Sequence, residues 1–405
     1  MEQPLFGRRL RELRQARGLS QARLAGDEIS TGYLSRLESG ARQPTERVVS
    51  YLASQLGVER EAFTVSPGTS LAHALSLASS SEDGESMEPL VSALRGADSG
   101  DLLLRWQALW LLARGRRKLG DQAQELACLE ELSEITDELG LPELQCRTWS
   151  SLARCLRATG QVRRAIEVAR KAVEIAQRAR LSVHDTGTAL MALVSAEAED
   201  GRLAEARTHS DELVSLVEGF KGTLRSEVLW SAATVLFRQG EQKRALRSME
   251  EALEGLHSNT DLSLWVRLRL AAASLCLQST PPLTGPATLR LCQAESALEF
   301  VRTPLMQQEF LTLKAHLAFE EGRYEEAHAL LGELQGQEVL LTYRDRIRLG
   351  VLSSRLMILE GEARKGLAQL KQLGEEAHGA GNMGLAAEIW RTMAEILDAT
   401  RTHDE

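Results

Sequence analysis

In the segment "STGYLSRLESG", Ser30 to Gly40, the polar residues Thr31, Gly32, Ser35 and Arg36 fall on one side of a short helical pattern. Two hydroxyls and a guanidinium at that spacing match the hydrogen-bonding edges of base pairs in a major groove. A glycine among them removes the side chain that would hold the helix off. Gln21 opens the preceding short pattern, where its amide and the first N–H groups of a helix can both face a phosphate. Arg42, just past the third pattern, is placed for a second backbone contact. Other chemistries are missing from the chain: it contains no GxxxxGK[ST], HExxH, GxSxG or paired-cysteine pattern, and its eight histidines are dispersed. No catalytic residue, metal or cofactor is expected, and the chain reads as a non-enzyme.

The elements that must carry these side chains are legible from period and punctuation. Phe6, Leu10 and Leu13 recur at helical spacing and Gly18 closes the run. Ser20 suits an N-cap for a helix with Leu24 and Ala25, and Ser30 for one with Leu34 and Leu37 facing inward. Gly40 stands where a helix commonly ends in a left-handed residue. Pro44-Thr45 opens a further helix with Val48, Leu52 and Leu56, closed by Gly57. Residues 1–63 therefore read as a compact four- or five-helix domain. "TVSPGTS", residues 64–70, reads as a linker, and "SSSEDGES", residues 79–86, as the turn within a first helix pair.

Charge separates the two parts. The 405 residues carry a formal net charge of −9, yet Phe6–Arg47 holds nine arginines against five acids. A basic head on an acidic body suits nucleic-acid binding, although ordinary surface charge gives the same asymmetry. The five cysteines lack metal-type spacing and read as reduced thiols. The N-terminus lacks a signal-peptide apolar region and no apolar run approaches membrane length, so a cytoplasmic protein without membrane association is expected.

Beyond residue 70 the pattern is a repeat. "GQVRRA" starts at Gly160, "GRLAEA" at Gly201, "GEQKRA" at Gly240 and "GRYEEA" at Gly322, with weaker copies at Gly120 and Gly361. Successive intervals are 40, 41, 39, 82 and 39 residues, which hides one copy near residue 281, in "STPPLTGPATL". Such regularity signals a solenoid. The glycine marks the turn between paired helices, and the alanine five residues later is small where the helices touch. The copies cover residues 71–400 in about eight helix pairs.

The first helix of each pair should line a concave surface. Counting back from each glycine places Trp110, Arg114 and Arg117 there from the first copy, then Arg147, Ser150, Arg154 and Arg157. Met191 and Ser195 follow, then Glu227, Trp230, Thr234 and Phe237, then Glu309 and His316, and finally Arg348 and Arg355. An arginine-rich channel with aromatic patches suits an extended peptide bearing an acidic group or a free carboxylate. Ordinary helix-surface residues paired with neighbouring glutamates would give the same list.

"LSQARLA", "YLSRLESGARQPT" and "LASQLGV" resemble the Cro/C1-type helix-turn-helix of the Xre family. By that resemblance Gln21, Thr31, Gly32, Ser35 and Arg36 take DNA-contact positions, and Arg14 and Glu38 form an ion pair between the first and third helices. The turn between Ala25 and Tyr33 is one residue shorter than the usual family pattern. The repeats look like tetratricopeptide helix pairs of lengthened period. A head and body of this kind resemble the peptide-sensing regulators grouped as RRNPP. The resemblance implies a homodimer that reads a palindromic operator on double-stranded DNA and is switched by a short peptide. Family members clamp peptides with asparagines, whereas this chain has only Asn259 and Asn382. The expected fold is all-α: an N-terminal Cro/C1-type helix-turn-helix domain followed by a right-handed tetratricopeptide-like α-solenoid. An interaction scaffold, with repeats that hold a protein partner and DNA binding secondary, is the alternative.

Overall fold

The computed structural model describes residue 3 and residues 5–63, 71–80, 87–96, 101–301 and 303–404, and every regular element among them is helical. The expected linker at 64–70 and most of the expected 79–86 turn lie outside these residues. The chain divides into two compact units, Met1–Ala108 and Leu109–Glu405.

The first unit begins with α1 (Leu5–Ala16), α2 (Gln21–Ala25), α3 (Thr31–Glu38) and α4 (Glu46–Leu56), then a 3₁₀ turn at Arg60–Phe63. The caps are those the sequence provides. Ser20 accepts from the Arg23 amide, Ser30 from the Tyr33 amide and Thr45 from the Val48 amide. Such caps satisfy helix N–H groups that have no partner within the helix, each contributing about 1 kcal/mol. The apolar stripes of these helices meet in one core of Phe6, Leu10, Leu24, Leu34, Leu37, Leu52, Leu56 and Phe63, each almost fully buried. At roughly 1.5–3 kcal/mol per buried large side chain, this core holds helices too short to persist alone. Gly7 lets α1 approach α3 closely, since a Cβ there would lie 2.1 Å from the Leu37 carbonyl oxygen. Two further helices, α5 (Leu71–Ser80) and α6 (Glu88–Gly96), pack against each other in the same unit.

The division between the units falls within α7 (Leu102–Leu119). The pairs continue as α8 (Gln122–Leu139), α9 (Pro142–Ala158), α10 (Val162–Arg178), α11 (Val183–Asp200) and α12 (Leu203–Leu216). Then come α13 (Thr223–Arg238), α14 (Gln242–Glu254), α15 (Leu262–Leu277), α16 (Thr284–Val301) and α17 (Pro304–Glu320). The chain closes with α18 (Tyr324–Gln335), α19 (Tyr343–Leu359), α20 (Ala363–Gly379) and α21 (Met383–Asp404).

Each glycine of the repeat sits in the left-handed region: Gly120, Gly160, Gly201, Gly240, Gly322 and Gly361 have φ between +76° and +93°. That conformation turns the chain from the first helix of a pair into the second, and glycine adopts it without the Cβ penalty. The alanine five residues on, at 165, 206, 245 and 327, is fully buried in the seam. Ala287 is buried in the same way, so the copy hidden near residue 281 is present, with Gln278–Leu283 replacing the glycine turn.

The first helices of successive pairs, from α9 to α19, pack on one another in series, and α21 returns against α11. The solenoid thereby meets its own beginning. The Gln122 side-chain amide donates to the Leu340 and Leu341 carbonyls at 3.3 and 3.2 Å. Tyr343 covers Gly160 so closely that a Cβ there would lie 2.8 Å from its ring. Residues far apart in sequence are thus brought into contact.

Candidate nucleic-acid interface and concave ligand site

On α3, Leu34 and Leu37 are buried in the core while Thr31, Gly32, Ser35 and Arg36 are exposed. Nothing lies within 4 Å of a Cβ built on Gly32, so the first turn presents an unobstructed face. Arg36 Nε donates to the Gly32 carbonyl at 3.2 Å, which lays its guanidinium along that face. Arg42 is exposed and stands over the Tyr33 ring at 5.6 Å.

Behind this face Arg14 and Glu38 join α1 to α3. Arg14 donates to Glu38 through Nε at 2.6 Å and Nη2 at 3.0 Å, and through Nη1 to the Leu19 carbonyl at 2.8 Å. The ion pair implied by the resemblance is therefore present, with a third member that the sequence did not announce. The Gln21 amide donates to Glu38 at 2.8 Å. Burial pushes the Glu38 carboxyl up, but the hydrogen bonds from Arg14 and Gln21 prevail and hold it below its ordinary range. The shortened turn is closed by Gly26 at φ +53°, with the Tyr51 hydroxyl donating to the Ala25 carbonyl at 2.9 Å.

In the second unit, several of the expected concave residues gather with other side chains into two charged groups. The first combines Arg117, Arg154 and Arg267 with Glu125 and Glu227. Arg154 donates to Glu125 at 3.1 Å, and Arg267 stands 5.2 Å from the Trp230 ring. The neighbouring Arg154 charge and then burial hold Arg117 well below its ordinary range. Glu309 is raised to about 7 by burial and by Asp345, against the pull of Arg267.

The second group collects Arg157 from α9, Glu199 from α11, Arg238 from α13, Arg344 and Arg348 from α19, and Glu388 from α21. Arg157 donates to Glu199 at 3.0 Å, Arg344 to Glu388 at 3.1 Å, and Arg348 to both Glu388 oxygens at 3.2 Å. Arg348 also donates to Gln278. Burial raises the Glu388 carboxyl, but Arg348 and Arg344 outweigh it and bring it to about 2. A cavity of about 150 Å³ adjoins this group, lined by His316, Glu320, Asp345, Arg348, Arg355 and Glu388 over an apolar wall that includes Leu277 and Ile389. Burial, then Arg348 and Arg355, depress His316 to about 4, so it is neutral at physiological pH. Arg355 donates to Glu320 at 2.9 Å and lies over Phe319.

Other expected concave residues have different surroundings. Arg147 is exposed and paired with Asp185 at 2.8 Å. Arg114 is exposed, and Ser150 is buried with its hydroxyl beside the Cys146 thiol. Thr234 donates to the Trp230 carbonyl, and Phe237 packs with Trp230 against the core between α13 and α15. Trp110, Met191 and Ser195 are half-buried. Sequence reasoning passed over Arg238 and Arg344. Arg238 is two residues before Gly240, but the Glu199, Arg344 and Arg348 charges around it come from α11 and α19, which no local pattern encodes.

Residues 5–63 match the family model of a helix-turn-helix domain, and residues 147–178 that of a tetratricopeptide repeat. No curated protein matches the chain in sequence. Among solved structures, the chain is similar to the Rap conjugation gene regulator of the plasmid pLS20 in complex with the Phr* peptide. Identity is 13%, coverage 95% of this chain and 98% of that one, and the TM-score 0.56. It is also similar to a Rap protein complexed with competence and sporulation factor, at 10% identity, 97% and 98% coverage and a TM-score of 0.53. A Bacillus thuringiensis PlcR, in complex with the peptide PapR7 and DNA, aligns with 76% of this chain and 98% of its own at 15% identity, with a TM-score of 0.42. The fold is thus that of the Rap proteins: a helical head followed by a tetratricopeptide-like solenoid. No helix among the described residues is long and apolar enough to cross a membrane.

Proposed function

We propose that this protein is a sequence-specific, DNA-binding transcription regulator controlled by a peptide held on the concave face of its repeats. The observation that carries the reading is the exposed face of α3. Thr31, Gly32, Ser35 and Arg36 stand together on a helix whose other side is locked into the core and braced by the Arg14–Glu38 pair. Arg36 reads a base edge, and Arg42 positions the backbone. The peptide assignment draws support from the arginine-lined inner surface and from the fold shared with two Rap structures, one complexed with competence and sporulation factor and the other with the Phr* peptide.

The regulator acts in the cytoplasm as a homodimer, whose two heads meet half-sites of a palindromic operator about 10–10.5 bp apart or multiples of it. It works without catalytic residues or cofactor. The test is duplex binding to DNA from the protein's own promoter region. Binding should weaken steeply with salt as counterions are released. No binding at low salt would remove this reading and leave the repeats as an interaction scaffold.

A further inference from the structure

The second charged group is incomplete as it stands. Arg157 has Glu199, Arg355 has Glu320, and Arg344 and Arg348 share the single carboxylate of Glu388. Arg238 lies among them, and its Nη1 is a buried donor with no partner. Arg344 Nη1 and Arg348 Nε are in the same condition. Including Asp345, five guanidiniums face four carboxylates, which leaves one positive charge uncompensated. Burial and the neighbouring Arg344 charge depress Arg238 to about 9, so it remains protonated at physiological pH.

Buried donors are almost always satisfied, and several unsatisfied guanidinium N–H groups in one place require an explanation. Water can accept those hydrogen bonds but cannot neutralise the charge. A carboxylate does both, because its two oxygens match the fork of a guanidinium. The single excess charge suits a monoanion better than a dianionic phosphate. Arg348 and Glu388 also line the neighbouring cavity, whose wall includes Leu277 and Ile389, so the cluster has open space on its Arg348 side.

We propose that Arg238, Arg344 and Arg348 form an anchor for one carboxylate of the ligand on the concave face. The anchor rests on the reading of that face as a peptide site. It takes either a C-terminal carboxylate or an Asp or Glu side chain, and the uncompensated charge of Arg238 is what selects it. Arg238 and Arg344 come from helices more than 100 residues apart, so an occupied anchor also ties α13 to α19 across the closed solenoid.

The test has two arms, both on the full chain. In the first, arginine Nε–H resonances are followed by NMR during titration with sodium acetate against sodium chloride at matched ionic strength. Acetate should shift a small set of resonances saturably, and Arg238→Gln should abolish the response. Arg238→Met should abolish it too while raising the melting temperature of the free protein, since it removes an unpaired buried charge. An acetate response that is absent, or that persists in both variants, overturns the anchor.

In the second arm, random heptapeptide pools are offered with free or amidated C-termini, each with and without Asp and Glu. Retention should favour carboxylate-bearing pools by about tenfold or more, and Arg238→Gln should erase the preference. Preference for the free terminus, or for Asp and Glu in the amidated pools, supports the anchor and identifies which carboxylate it takes. Retention without any such preference overturns the anchor and leaves the peptide reading standing. An acetate response without retention of any pool supports the anchor and overturns the peptide reading.

Discussion

Arg14 and Glu38 meet through two hydrogen bonds, at 2.6 and 3.0 Å, with the Glu38 side chain only 4% exposed. The pair fixes the far end of α3 against α1, so the angle at which α3 offers its outer face is set by an electrostatic contact as well as by the core. Removing one partner of a buried pair leaves the other charge uncompensated. Arg14→Ala should therefore destabilise the N-terminal unit by about 3 kcal/mol, measured by denaturant unfolding of the full chain followed on a probe in residues 5–63. The Glu38 carboxyl is held below its ordinary value in the folded state, so its contribution is complete above the unfolded carboxyl pKa and is lost as pH falls through the folded one. Unfolding of this unit should become easier on acidification below about pH 4.5, and Glu38→Gln should flatten that dependence.

Arg36 and Arg42 should separate by role. Arg36→Ala should weaken binding to the specific duplex by about 1–3 kcal/mol and leave binding to random duplex nearly unchanged. Arg42→Ala should weaken both alike and reduce the salt slope by about one. Fluorescence anisotropy on the two duplexes across a salt series reads both quantities. Equal losses for Arg36→Ala on the two duplexes would contradict its assignment as a base reader.

Gly160 and Gly240 share one conformation but not one environment. Their φ values are +85° and +83°, yet only at Gly160 would a Cβ meet another turn of the solenoid, at the Tyr343 ring. Gly240→Ala should lower stability by about 1 kcal/mol from backbone strain alone. Gly160→Ala should lower it by more, because Tyr343 must also move. Denaturant midpoints of the two variants compare them directly, and equal shifts would show that the closure through Tyr343 does not hold the solenoid.

Glu309 makes the repeat unit less stable as pH rises towards neutrality. Its folded pKa, about 7, lies above the value of an unfolded glutamate. Between about pH 4.5 and 7 the unfolded chain gives up this proton while the folded one keeps it, so stability falls as pH rises through that window. Glu309→Gln should remove the fall and leave the variant more stable than the parent at pH 8, by up to about 3 kcal/mol. Thermal unfolding at pH 5 and pH 8 measures the difference.

The elements and their order were legible because short-range physics writes them into residue types. A left-handed turn demands glycine and a tight helix seam demands alanine, so a 40-residue rhythm of the two marks the helix pairs. Even the copy without its glycine is recovered through Ala287, buried like Ala206 and Ala245. The caps at Ser20, Ser30 and Thr45 were legible for the same local reason. What local pattern does not carry is the closing of the solenoid. Counting back from a glycine picks out Arg157 and Arg348, but not the Glu199 and Glu388 that meet them from α11 and α21. Arg147, picked out by the same count, is exposed and pairs with Asp185, which α11 also supplies.

The central claim is that the exposed face of α3 reads particular DNA sites under control of a ligand on the repeats. Genome-wide footprinting of the protein's DNA sites, with and without spent culture medium, tests it most directly. The account predicts a limited set of palindromic sites, lost by Arg36→Ala, whose occupancy changes when medium is added. No protected sites in either condition, or sites unaffected both by medium and by Arg36→Ala, would contradict it.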